Sequence, residues 1–168
     1  MCGLWLLVRK GVRMVTRLSK LRALLVVGAL AMIAVTAGFA AAKSVKVRAT
    51  MTSGQVVVPR KPFGDVRDAT GTFAGTLAQS RARWWLAWKI TYRKLDHPII
   101  VIADIHRGKP GKFGPVLVRL CGPCRSGAHG VKVVKASDVP VIKSGRAFIT
   151  LITARNPNGE VRGQIVVR

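Results

Sequence analysis

From Val45 to the C-terminal residue, apolar side chains fall at alternate positions almost everywhere, and no stretch carries the three-to-four spacing of a long amphipathic helix. That single pattern restricts the fold more than any motif does. Val45-Lys46-Val47-Arg48-Ala49-Thr50-Met51 alternates without a break. Arg83–Arg93 places Trp84, Leu86, Trp88, Ile90 and Tyr92 on one face. Its other face carries Arg83, Ala87, Lys89, Thr91 and Arg93, with Trp85 as the exception. A half-buried antiparallel strand has this form. Ile99–Ile105 is apolar on both faces as far as Asp104, which suggests a central strand. Val116–Leu120, Arg146–Thr153 and Glu160–Arg168 complete the set. The last two flank Asn156-Pro157-Asn158-Gly159, where proline suits the second position of a type I turn and glycine tolerates the positive φ that follows. Residues 137–145 offer one helical turn, capped by Ser137 or Asp138 and stopped at Gly145. Six to eight short strands predict an all-β, immunoglobulin-like Greek-key sandwich.

The first 42 residues do not fit that pattern. They hold six basic residues, from Arg9 to Arg22, and no acidic one; Ala23 to Ala42 is uncharged. The apolar run Leu24–Val35 is followed by small residues at Ala37-Gly38 and Ala40-Ala41-Ala42. A basic start, an apolar stretch and then small residues make an export signal, cleaved after Ala40 or Ala42. Twenty uncharged residues also suffice to span a bilayer of ~30 Å, so an uncleaved anchor is the alternative. Met14 offers a more compact basic lead-in than Met1. Either version divides the chain into a signal or anchor, 1–42, and a domain, 43–168, that lies outside the cytoplasm: secreted, periplasmic or on the outer membrane face.

Charge bears on function. The chain has 29 Lys and Arg against 6 Asp and Glu. All six acids and 23 of the basic residues fall in 43–168, leaving that domain at +17. So few carboxylates argue against chemistry built on a carboxylate pair and against oxygen cages for calcium or magnesium.

Several segments resemble the CHRD family, domains first described in chordin and widespread in exported bacterial proteins. They are Gly71–Gly75, Leu86–Tyr92, Ala103–Gly108, Gly114-Pro115-Val116, Leu120-Cys121 and, most specifically, Asn156–Ile165. The resemblance implies an immunoglobulin-like sandwich distantly similar to that of copper/zinc superoxide dismutase, and no established activity. The family commonly has His-Ile-His where this chain has Asp104-Ile105-His106, and Val-His-Thr where it has Leu151-Ile152-Thr153. Asp104 and His106 share one strand face, but one carboxylate and one imidazole are a thin ligand set for copper or zinc. Both are expected to hydrogen-bond to each other or to nearby backbone. His97 and His129 lie in expected loops without ligand spacing.

Cys121-Gly122-Pro123-Cys124 matches the string of a thiol oxidoreductase. Such a motif should open a long helix, which Arg125–Gly130 does not sustain. A zinc site using Cys121, Cys124 and His129 lacks a second paired half. In an oxidising compartment the expected state is a local disulfide.

Arg83, Trp85, Lys89 and Arg93 form a basic strand interrupted by an indole, with Lys109, Lys112, Lys132, Lys135 and Lys143 elsewhere. Cell-envelope polyanions or lipid headgroups are the partners such a surface meets outside the cytoplasm. No recognition helix or RNA-binding motif points to specific nucleic acid. The sequence therefore favours a non-enzymatic structural or binding module with no cofactor. The alternative is a metal or redox enzyme using Asp104 and His106.

Overall fold

The computed structural model describes residues 44–57, 66, 68–96 and 100–168. The signal-or-anchor assignment of 1–42 falls outside them, as do His97 and Ile99. The described chain is nearly all β. Its strands are β1 (Ser44–Thr52), β2 (Thr70–Ser80), β3 (Arg83–Arg93), β4 (Ile100–Arg107), β5 (Val116–Cys121), β6 (His129–Val134), β7 (Ala147–Thr153), β8 (Val161–Gln164) and β9 (Val166–Val167). A 3-10 turn, Ser53–Gln55, follows β1, and one short helix, α1 (Val139–Lys143), precedes β7.

All nine strands belong to one antiparallel sheet, ordered β5-β4-β7-β8-β1-β2-β3-β6, with β9 beside β1. The two sheet ends, β5 and β6, also touch, so the sheet curls into a near-barrel around one core. Val47, Phe73, Leu77, Leu86 and Ile90 line that core from one flank, and Ala103, Ile105, Ile149, Leu151 and Val161 from the other. These are the inward positions of the period-two pattern. The β3 register is the clearest case: Leu86, Trp88 and Ile90 are buried, while Arg83, Ala87, Lys89 and Arg93 are exposed.

The Asn156–Gly159 turn forms as its residues suggest. The Gly159 N–H bonds the Asn156 carbonyl at 2.9 Å, and Gly159 takes φ +111°. The helical turn also forms, stopped at Gly145 with φ +70°. Asp138 is its N-cap residue but does not cap it with its side chain, turning its carboxylate to Arg107 at 3.4 Å instead.

Two strands go beyond the sequence-based expectation. Thr70–Ser80 carries threonine, glycine and alanine through a strand, so its outward side lacks the charged residues that mark alternation elsewhere. His129–Val134 begins at a histidine expected in a loop. In the other direction, the stretch after Glu160 is two short strands split at Ile165, not one.

Candidate functional site

Three sets of residues carry the chemistry that the sequence singles out, and the fold sends them to different places. Asp104 and His106 lie on the outer face of the sheet, paired across β4 and β7 with Thr150 and Phe148. They do not bond each other. The Asp104 carboxylate accepts from Arg119 Nε at 3.2 Å and Nη2 at 3.4 Å. His106 Nδ1 lies 3.0 Å from the Gly114 carbonyl, which can only accept, so that nitrogen carries the proton. The His106 ring stacks on Phe148 with centroids 5.1 Å apart, and its Nε2 is buried without a hydrogen-bond partner. One open nitrogen beside a carboxylate already held by arginine offers a metal a single ready ligand. Among the described residues no group of three or more His, Cys, Asp or Glu is close enough to hold an ion.

Cys121 and Cys124 form a disulfide, with Cα atoms 5.7 Å apart. It closes the start of the connection from β5 to β6, where the two sheet ends meet. No helix follows it: the chain passes through turns to β6. His129 is exposed and bonds the Gly127 carbonyl through Nδ1.

The segment that carries the strongest family resemblance turns out to be a set of internal ties. Glu160, just before β8, and Arg162 and Gln164 within it follow at every second position; Arg162 and Gln164 share the outer face of the strand. Each binds a different stretch of chain. Glu160 is fully buried; its carboxylate accepts from Thr153 Oγ1 (2.7 Å), Asn156 Nδ2 (3.2 Å) and the Asp96 N–H (2.5 Å). Arg162 Nη2 donates to the carbonyls of Lys109 (3.1 Å) and Lys112 (2.8 Å). The Gln164 amide reaches the carbonyls of Gly108, Gly145 and Ala147. Gly163, between them, lets β8 approach β1: a Cβ there would meet the Thr50 carbonyl oxygen. Arg162 is 3% exposed, and burial holds its pKa below the ordinary arginine value. These groups build the fold: Arg162 and Gln164 donate to backbone carbonyls, and Glu160 gathers one backbone N–H and two side chains.

The basic strand residues behave differently. Arg83, Lys89 and Arg93 are exposed on the outer face of β3, and Trp85 is half-buried there. Register extends this face across the neighbouring strands. Lys89 and Arg48 flank Ala74 in one row, from β3 through β2 to β1. One row along, Val131, Ala87, Thr76 and Lys46 follow one another from β6 to β1. The result is a shallow trough with a floor of Ala74, Thr76 and Ala87 and walls of Lys46, Arg48 and Lys89. The described aspartates pair elsewhere: Asp68 with Lys94, Asp96 with Arg155, Asp104 with Arg119 and Asp138 with Arg107. Among the described residues no carboxylate neutralises Lys46, Arg48, Arg83, Lys89 or Arg93. Sequence reasoning found the β3 part of this face. It missed Lys46 and Arg48 as partners because only the order β1-β2-β3 brings them beside Lys89.

A family model described as CHRD domain matches residues 47–165. No curated protein and no solved structure matches.

Proposed function

The chain belongs to the CHRD domain family, and on that footing we propose that its β-domain is a non-enzymatic module outside the cytoplasm that holds anionic partners on the outer face of β1, β2 and β3. One observation carries this reading: Lys46, Arg48, Arg83, Lys89 and Arg93 share that face, and the described carboxylates are engaged elsewhere. Cations two strand spacings apart, about 10 Å for Arg48 and Lys89, suit repeated charges along a polymer or a surface better than one small anion. The trough between them is shallow and floored by small side chains, with no nucleophile or acid–base pair in it. The location outside the cytoplasm is supported by the basic and apolar order of residues 1–42 and by a disulfide-bonded Cys121–Cys124 pair.

Retention of the full chain on an immobilised polyanion, such as polyacrylate, tests the reading across a salt series. Retention should fall steeply with salt, since exposed charges are screened over ~8 Å at physiological ionic strength. Arg48→Ser with Lys89→Ser should lower the salt needed for elution. Elution unchanged by that pair, or no retention at low salt, removes the proposal.

A further inference from the structure

The same outer face continues past the trough into an apolar corner. Val131 and Val133 on β6 are 60% and 54% exposed. Register places them beside Ala87 and Trp85 of β3, and Trp85 in turn beside Ala78 of β2. Apolar side chains exposed on adjacent strands form one contiguous patch, and a patch rimmed by polar residues is the form an interaction surface takes. Cations surround it: Arg83 lies two residues along β3 from Trp85, Lys89 two residues beyond Ala87, and Lys46 two strands across from Ala87.

We propose that this face docks the domain on an anionic lipid bilayer, with Trp85, Val131 and Val133 at the depth of the headgroup–acyl boundary and Lys46, Arg48 and Lys89 against lipid phosphates. The inference rests on the anionic-surface reading above and names its partner. Charge complementarity selects the bilayer from other polyanions, because only a bilayer offers negative charge and an apolar layer at adjacent depths. A water-soluble polymer satisfies the lysines and arginines and leaves the valines wet. Indole belongs at that boundary, where its ring is half in apolar surroundings and its N–H stays hydrated. Each basic residue near an anionic leaflet and each apolar side chain set into it adds a separable increment.

The test uses the full chain. Its apolar 23–42 segment can hold it on any bilayer, so the readout has to be local. An environment-sensitive fluorophore is attached at Val131→Cys in a Cys2→Ser background; the control site is Ala154→Cys, in the exposed stretch after β7. On phosphatidylglycerol vesicles the probe at 131 should shift to the blue, and the probe at 154 should not. On phosphatidylcholine vesicles the shift should be small. Arg48→Ser with Lys89→Ser should cut the docked fraction relative to the free by about 30-fold. Val133→Ser, with the probe kept at 131, should cut it by about tenfold. Three outcomes overturn the proposal. An aqueous probe at 131 on anionic vesicles, with retention on polyacrylate that still depends on Arg48 and Lys89, refutes the bilayer and leaves the anionic-surface function standing. An equal shift on phosphatidylcholine refutes the role of the cations. Neither docking nor retention removes both readings.

Discussion

The Arg162 guanidinium carbon lies 3.5 Å from the centroid of the Phe148 ring, on the outer side of the sheet and apart from the barrel core. β7 lies between β4 and β8, so His106 and Arg162 reach the Phe148 ring from its two neighbouring strands. The loop between β4 and β5 closes over them through the Lys109, Lys112 and Gly114 carbonyls. A cation is thus buried with carbonyls and a ring for company.

Arg162→Lys should therefore destabilise the domain by about 2–4 kcal/mol, although charge is conserved. Lysine has no planar group to lie on Phe148 and cannot reproduce the fixed fork that reaches two carbonyls. The shift in denaturation midpoint measures it. A variant as stable as the parent would show that the stack and the two bonds are dispensable.

Glu160→Gln tests the second tie. An amide keeps one acceptor oxygen but turns an NH2 group toward donors: the Asp96 N–H, Thr153 Oγ1 and Asn156 Nδ2. A buried donor facing donors costs about 1–3 kcal/mol. Amide exchange should rise first at Asp96 and around the Asn156–Gly159 turn. Unchanged protection at both would contradict the assignment of Glu160 as the link between those segments.

The Cys121–Cys124 disulfide closes a loop of only four residues. In the chain-entropy account such a loop contributes about 2 kcal/mol. Replacing both cysteines by serine should lower stability by no more than that, with circular dichroism unchanged. Complete unfolding of the double variant would mean that the bridge organises the β5–β6 seam itself.

Tyr92 is the only tyrosine, so its phenolate absorbance reports one site. Burial raises its pKa above 10.0, partly opposed by the Ser126 hydrogen bond and the Arg125 charge. A raised folded-state value gives a contribution to stability that is full below pH about 10 and is lost as pH climbs through the folded value. The native chain should titrate above pH 10, and the denatured chain at about 10. Native titration at or below the denatured midpoint would refute the sign.

The curling of one sheet into a near-barrel was not legible in the sequence, whereas most of the strands were, because burial imposes a period of two. Arg83–Arg93 shows it with both of its boundaries. Thr70–Ser80 did not stand out, since Thr70, Thr72, Ala74, Thr76 and Ala78 make an outward face with little contrast against the inward one. The turn at Asn156–Gly159 was legible from backbone chemistry alone. Glu160, Arg162 and Gln164 were visible as a motif, but not as ties to three other stretches of chain, because each bonds backbone 17 to 64 residues away and backbone carries no residue code. The cationic face was half legible. β3 displays its own charges, whereas Arg48 joins them only through the strand order, and Val131 and Val133 only because β6 returns to pair with β3.

The meeting of β5 and β6 has a consequence for copies of this domain at high local concentration. An open sheet leaves two rows of unpaired backbone groups, and each recruits strands from other chains. Here both terminal strands face one another across a disulfide-bonded connection. Copies crowded together would not meet through these two strand edges, so crowding should leave them separate and exchangeable instead of seeding fibres.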